Sequence, residues 1–147
     1  MLIGKFEHSL DAKGRVTVPG RFREDLGEHF VITQGMDRDL YIYPLEQWDN
    51  FTAKLTKLPL GNKGAREIVT FFTGSASEGE LDKQGRVLIQ GELRNFAKMV
   101  KDVVFIGAIN RVEVWSREVY LEKMATVDTD PETMNERLEE KMEEFGR

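Results

Sequence analysis

Cysteine is absent from the 147-residue chain, and histidine occurs only twice, as His8 and His29. Disulfide bonds and thiolate metal sites are therefore excluded. Neither histidine has a second metal ligand at a typical spacing, so we expect no metal site, no other cofactor and no small-molecule substrate. The lack of cysteine also fits a cytoplasmic protein.

Long apolar runs and nucleotide-binding loops are missing as well. No stretch approaches the roughly 18 apolar residues of a membrane span, and Gly61-Asn62-Lys63-Gly64 lacks the spacing of a phosphate-binding loop. We therefore expect no membrane contact, no enzymatic activity and no catalytic residue. With 40% hydrophobic and 32% charged residues, the composition predicts a soluble globular protein.

The formal net charge of -5 is unevenly distributed. Residues 1–125 carry 18 basic and 18 acidic side chains, whereas residues 126–147 carry 3 basic and 8 acidic ones. Within residues 1–23, five basic side chains are accompanied only by Glu7 and Asp11. This basic segment is the one patch in the sequence that is typical of nucleic-acid binding.

The chain contains an internal repeat. Residues 10–23, LDAKGRVTVPGRFR, recur at 81–94 as LDKQGRVLIQGELR, with seven identities in fourteen positions. Beyond Leu26 a shift of one residue extends the alignment, so the repeat unit covers about half of the chain. Two copies of this size are expected to share one core in a pseudo-symmetric body.

Each copy has the same predicted order of elements: a strand, a turn, a short strand, a helix, two further strands and a second helix. The first copy has strands at 3–10, 15–18, 30–34 and 40–43, and helices from Pro19 to Leu26 and from Pro44 onward. A helix over 65–72 leads to the second copy, with elements at 86–89, 91–99, 102–107, 112–115 and from Ser116. The fold class is therefore mainly β with short α-helices.

Each turn begins with aspartate and ends with glycine, the pattern of a type I turn that closes a local hairpin. A structural role is therefore favoured for Asp11, Gly14, Asp82 and Gly85, with Asp11 pairing with Arg15. Basic residues around the first hairpin could contact phosphates or guanine edges from a β-ribbon. The candidates are Lys5, Lys13, Arg15, Arg21 and Arg23. In the second hairpin Leu88 replaces Thr17 and Glu92 replaces Arg21, so Arg86 is a weaker candidate and DNA contact is assigned mainly to the first hairpin.

The pattern Leu-Asp-x-x-Gly-Arg-Val-x-Val-Pro-x-x-Phe-Arg resembles the swapped-hairpin DNA-binding domain of the AbrB and SpoVT regulators. Two tandem copies resemble the MraZ family of bacterial transcriptional regulators, over residues 1 to about 125. This resemblance implies interlocked β-hairpins in a β-barrel-like body, with Asp11–Arg15 and Asp82–Arg86 as signature pairs. Gln90, where the first copy has Pro19, departs from the pattern.

The resemblance also implies a sequence-specific regulator that binds double-stranded DNA as a ring-shaped homo-oligomer and is nucleoid-associated. Such a protein represses its own division and cell-wall gene cluster through direct-repeat promoter boxes. The expected domains are two SpoVT-AbrB-like repeats at 3–56 and 74–125, a linker and connecting helix at 57–73, and an acidic C-terminal helix at 126–147.

The C-terminal segment is predicted to be an amphipathic helix that begins at Asp130-Pro131. Its apolar stripe consists of Met134, Leu138, Met142 and Phe145. We expect this stripe to be covered, by the chain's own body or by a neighbouring subunit. An alternative function depends on the same segment, since an antitoxin of the AbrB type would bind its toxin through residues 126–147.

Overall fold

The computed structural model describes residues 1–146. The first half comprises β1 (Leu2–Ser9), β2 (Arg15–Thr17), α1 (Gly20–Leu26), β3 (His29–Gln34), β4 (Leu40–Pro44) and α2 (Leu45–Leu55). A connecting helix, α3 (Lys63–Ser75), leads to β5 (Ser77–Glu80), β6 (Arg86–Leu88), α4 (Gly91–Phe96), β7 (Asp102–Ile109), β8 (Val112–Ser116), α5 (Arg117–Ala125) and α6 (Pro131–Phe145). The predicted class, mainly β with short helices, is confirmed. The domain boundaries stay a prediction.

Strand pairing crosses between the two halves. The main sheet has the order β1-β7-β8-β4-β3-β5, in which β1 pairs with β7 and β5 pairs with β3, both antiparallel. The strands that follow the turns, β2 and β6, form a separate two-stranded ribbon. The local hairpins expected at the two Asp–Gly turns are therefore wrong, because β2 does not pair with β1 and β6 does not pair with β5. Strands of three residues bury little when paired locally, whereas pairing between halves places Val16 opposite Val87 inside the shared core.

The six-stranded sheet does not close into a barrel within residues 1–146, because its edge strands β1 and β5 do not pair with each other. The ribbon lies beside both edges, since β2 contacts β1 and β6 contacts β5. Side-chain packing under the ribbon thus takes the place of the hydrogen bonds that would close a barrel.

The main core lies between the sheet, the ribbon, α1 and α4. Its fully buried side chains include Phe22 of α1, Phe30 of β3 and Phe105 of β7. Ribbon valines complete it from the other side, at exposures of 1% for both Val16 and Val87. Each such side chain contributes about 1.5–3 kcal/mol through burial, and residues of both halves supply them. The prediction of one shared core is confirmed.

A second, smaller cluster packs α2 and α3 against the other face of β4. The Phe51 ring stacks on Tyr43 at 5.2 Å and meets Phe72 edge-on at 5.0 Å. The Thr33 hydroxyl donates to the Phe72 carbonyl at 2.7 Å. The start of α3 is capped by Asn62, whose Oδ1 accepts from the Ala65 N–H at 2.9 Å. These contacts hold α3 firmly on the body of the protein.

The C-terminal helix α6 begins as predicted, with the Asp130 carboxylate accepting from the Thr133 N–H at 3.3 Å. No side chain of α6 is buried. Its apolar stripe is 36%, 55%, 52% and 73% exposed at Met134, Leu138, Met142 and Phe145 respectively. The chain's own body therefore does not cover the stripe, and that part of the expectation is wrong. Cover by a neighbouring subunit stays a prediction.

Asp39 is fully buried at the turn between β3 and β4. Its Oδ1 accepts from the Asp37 N–H at 3.1 Å, while its Oδ2 has no hydrogen-bond partner among residues 1–146. Burial raises the pKa of Asp39 from 3.8 to about 6, and the negative charges of Glu113 and Asp37 act in the same direction.

We expect Asp39 to lower the free energy of unfolding as the pH rises from about 4 to about 6. Folded Asp39 keeps its proton up to about pH 6, whereas unfolded Asp39 loses it near pH 3.8, so the folded state binds more protons in this window. The effect is on the order of 3 kcal/mol. Urea denaturation of the parent protein and Asp39→Asn across this range measures it. A difference between the two that does not change with pH would contradict the expectation.

Candidate nucleic-acid interface

The strands that follow the two turns form one surface. In the ribbon, Arg15 lies opposite Leu88 and Thr17 lies opposite Arg86. Side chains alternate along a strand, and the central valines point into the core, so the four other residues face outward. Arg15 and Arg86 therefore lie on one face, to which both halves contribute. The assignment of DNA contact mainly to the first hairpin stays a prediction.

Asp11 organises the first turn. Its Oδ1 accepts from the backbone N–H groups of Lys13 and Arg15, each at 2.9 Å, and its Oδ2 accepts from Arg15 Nε at 2.8 Å. The backbone N–H of Arg15, followed by its guanidinium, holds the pKa of Asp11 below its usual value of 3.8. Asp11 is therefore ionised at neutral pH. The predicted pairing of Asp11 with Arg15 is present.

Asp82 organises the second turn in the same way. Its Oδ1 accepts from the backbone N–H groups of Gln84 and Arg86 at 2.9 and 2.8 Å, and its Oδ2 accepts from Arg86 Nε at 2.9 Å. The backbone N–H of Arg86 is the main cause of the lowered pKa of Asp82. In addition, Arg86 Nη1 lies 3.7 Å from Asp11 Oδ2, so the two turns are linked by an ion pair.

The glycine that ends each turn lies beneath an arginine of the opposite half. Gly14 and Gly85 have φ of 83° and 75°, a left-handed conformation that favours glycine. A Cβ atom on Gly85 would lie 2.4 Å from Arg23 Cζ, and one on Gly14 would lie 2.8 Å from Arg94 Cζ. The backbone conformation thus favours glycine at both turns, and a larger residue would also displace the arginine above it.

Arg23 was expected among the DNA-contacting residues, and its geometry gives it a further role. Its Nε donates to the Val18 carbonyl at 2.8 Å while its guanidinium packs on Gly85. Arg94 makes the equivalent bond to the Ile89 carbonyl at 2.9 Å. Both arginines position the ribbon. Arg94 was not a candidate from the sequence. It occupies the same position in the second copy of the repeat as Arg23 does in the first, and this identity could have indicated its role.

The exposed lysines at the tips of the turns extend the basic surface. Lys13 occupies the first turn and Lys83 the equivalent place in the second. Neither makes an ion pair with any residue between 1 and 146. Lys83 was not among the candidates because its segment is acidic overall, and only the pairing of β2 with β6 places its turn on the same ribbon, at the end opposite the first turn.

Two candidates lie away from the turns. Lys5 projects toward α5, with its Nζ 5.6 Å from the centre of the Tyr120 ring. It precedes Asp11 by six residues, a distance of roughly 20 Å along an extended strand. Arg21 of α1 lies beside Gly4 near the start of β1, since a Cβ there would be 3.9 Å from Arg21 Cδ. The structure therefore does not bring Lys5 and Arg21 together with Arg15.

Other kinds of site receive no support in the part of the chain that the structure describes. Within residues 1–146, no group of three or more histidine, aspartate or glutamate side chains could hold a metal ion. None of the helices described there has the length and apolar character needed to cross a membrane.

A family model described as "MraZ protein, putative antitoxin-like" matches the chain twice, over residues 1–71 and 71–138. The chain belongs to the MraZ family. The resemblance inferred from the repeated motif is therefore confirmed, and each MraZ match covers one of the two halves that exchange strands.

Similar proteins named "Transcriptional regulator MraZ" occur in several bacteria. The protein from Thermoanaerobacter sp. (strain X514) is 51% identical over 140 residues, which cover 95% of this chain and 98% of that protein. The protein from Clostridium tetani (strain Massachusetts / E88) is 47% identical over 146 residues, or 99% of both chains. That from Acetivibrio thermocellus is 46% identical over 146 residues, again 99% of both.

Gly85→Ala should destabilise the protein by about 1–3 kcal/mol, because alanine is strained at this φ and its methyl group would displace Arg23. Chemical denaturation measures the loss. Gly61→Ala is the matched control, since its Cβ would meet nothing within 4 Å and its φ is not left-handed. Equal stabilities of the two variants would show that the turn does not need its glycine.

Proposed function

We propose that this protein is a DNA-binding transcriptional regulator and that the outward face of the β2–β6 ribbon contacts the DNA. The observation that carries the proposal is the meeting of two basic turns on one surface. Residues 11–17 and 82–88 together hold four basic and two acidic side chains. The names of the relatives support the regulatory role.

The dimensions of the ribbon suit the major groove of DNA. Two paired strands lie about 4.8 Å apart, and the groove is about 12 Å wide. Arg15 and Arg86 are 33% and 28% exposed, and an arginine at such a position can bind a guanine edge through two hydrogen bonds. The exposed ammonium groups of Lys13 and Lys83 suit phosphate oxygens. Arg21, Arg23 and Lys5 would be secondary contacts.

The two aspartates contribute no positive charge, but they hold the arginine side chains in a defined orientation. Each one fixes the Nε of its arginine, at 2.8 Å in the first turn and 2.9 Å in the second. A guanidinium that is already oriented loses less conformational entropy when it binds. The Nη atoms of Arg15 make no hydrogen bond to any other group between residues 1 and 146, so they are available for a base or a phosphate.

Binding by several subunits follows from the small size of this surface. One ribbon per chain offers few contacts, so useful affinity requires several chains on several boxes. A head-to-tail ring presents its ribbons in one orientation and would match direct repeats. In the proposed mechanism, such a homo-oligomer in the nucleoid occludes the promoter of its own division and cell-wall gene cluster and needs no cofactor.

An antitoxin role is the second candidate, and the exposed apolar stripe of α6 is the observation that favours it. Such a protein would bind a toxin through residues 126–147. A second protein that co-purifies with this chain in a fixed ratio, and that is lost when α6 is deleted, would support this role over self-assembly.

Arg15→Ala should weaken specific DNA binding by about 1–3 kcal/mol per engaged subunit and reduce the salt dependence of binding. Arg86→Ala should have a smaller effect, because Arg86 is shared between the carboxylates of Asp82 and Asp11. Gel shifts over a salt series, with DNA from upstream of the protein's own gene, measure both.

Lys123→Ala is the matched control for this comparison. Lys123 of α5 pairs with Asp37 at 3.0 Å and is not part of the ribbon, so its loss removes a positive charge without altering the proposed surface. If Lys123→Ala weakened binding as much as Arg15→Ala, the ribbon would not be the DNA-contacting surface.

Box orientation provides a separate test of multivalent binding. Footprinting first defines the boxes upstream of the gene. Inverting one of two neighbouring boxes should reduce the affinity at least about tenfold, because the second ribbon can then no longer bind at the same time. A DNA with the inverted box that binds as tightly as the native one would contradict the head-to-tail arrangement.

A further inference from the structure

The outward face of the ribbon is nearly symmetric between the two halves of the chain. The internal repeat places Arg15 in the position of Arg86, and Thr17 in the position of Leu88. An exchange of the two halves would therefore leave an arginine at each arginine position, but it would exchange a threonine for a leucine. Among the outward residues of the two strands, only Leu88 and Thr17 distinguish one half of the surface from the other.

Leu88 is an exposed apolar side chain on this basic surface. It is 45% exposed, and it belongs to neither of the hydrophobic clusters formed within residues 1–146. Arg15, which lies opposite it, donates its Nε–H to Asp11 at 2.8 Å, so this guanidinium is held at the turn. A single exposed leucine is common on protein surfaces. Leu88, however, lies among side chains that are proposed to contact DNA, so it would meet an edge of the bases.

The major groove offers a leucine one kind of partner. The methyl group of thymine is the apolar group on the base edges there, whereas the other groups are hydrogen-bond donors and acceptors. Leu88 can make no hydrogen bond, but Thr17 has both a methyl group and a hydroxyl and so suits several bases. Side chains directly opposite each other have Cβ atoms about 5 Å apart, and base pairs rise by about 3.4 Å. Leu88 therefore reaches the base pair beside the one that Arg15 contacts.

We propose that Leu88 contacts the methyl group of a thymine in the base pair beside the guanine bound by Arg15. This contact depends on the proposed function, because it requires the ribbon to lie in the major groove. Leu88 is then a specificity-determining residue, and Thr17 at the equivalent place accepts other bases. Each box therefore needs a thymine on one side only. The ribbon thus has a preferred orientation on its box, which agrees with the proposed binding to direct repeats.

Deoxyuridine tests this contact, because it pairs as thymidine does but lacks the methyl group. In a DNA with two boxes defined by footprinting, each thymidine of one box is replaced in turn, and gel shifts measure the affinity of the full chain. One replacement should weaken binding about three- to fivefold, the loss expected for one buried methyl group. Leu88→Ala should bind the DNA with and without this methyl group equally well. Leu88→Ser should do the same, so the result does not depend on one variant.

Two control variants keep the leucine at position 88. Leu45→Ala removes a leucine that is 49% exposed on α2, outside the ribbon, and should show the same loss as the parent protein. Thr17→Ala should also keep this loss, because the methyl group is assigned to Leu88. The proposal would be overturned if no single replacement weakened binding or if the loss persisted in Leu88→Ala. A loss that disappears in Thr17→Ala instead would overturn it as well.

The other possible occupant of this position is a neighbouring copy of the chain. Leu88→Ala should keep the mass of the parent protein in light scattering and should still bind the two-box DNA, about 10- to 25-fold more weakly. A lower mass, or a complete loss of binding, would show a role in assembly or folding and would overturn the proposal.

Arg15→Ala separates a failure of this contact from a failure of the proposed function. If Arg15→Ala weakens binding, Lys123→Ala does not, and no deoxyuridine matters, the ribbon contacts DNA without Leu88. If Arg15→Ala and Lys123→Ala weaken binding equally, the proposed function fails too.

Discussion

The fold depends on a reciprocal pairing of backbone groups between its two halves. The Val18 N–H donates to the Gly85 carbonyl at 2.9 Å, and the Ile89 N–H donates to the Gly14 carbonyl at 3.0 Å. Each half thereby supplies the hydrogen-bond donor that the turn of the other half requires. Since a buried backbone group without a partner is costly, neither turn is complete without the opposite half. The arginine over each glycine strengthens the same link.

Because of this pairing between the halves, the two copies of the repeat form a single surface. Two separate hairpins would place Arg15 and Arg86 on different faces, whereas the shared ribbon places Arg15 opposite Leu88 and Arg86 opposite Thr17 on one face. Lys83, from a segment with more acidic than basic residues, then adds a positive charge at the end of the ribbon opposite Lys13. Both halves are needed to form the proposed DNA-contacting surface, because each supplies one strand of the ribbon.

The two halves have kept the same framework and diverged at their surfaces. Helix α3 remains attached through its aromatic residues, and the region before it is basic, whereas α6 is acidic and uncovered. Unlike ends allow head-to-tail contacts between copies, which the proposed ring and its proposed binding to direct repeats require.

The sequence by itself determined the repeat, the aspartate-first turns, the order of helices and strands, the start of α6 at Pro131 and the family. These features depend on periodicity, on turn chemistry and on residues close together in the chain. Only the tertiary structure decided that β2 pairs with β6, that Arg23 covers Gly85, that Asp39 is buried and that the stripe of α6 is open. Alternation along a strand indicates which side chains face the core, but it does not indicate which strand is the partner. Such pairings join residues about 70 positions apart, and they depend on how the two halves bury their valines together.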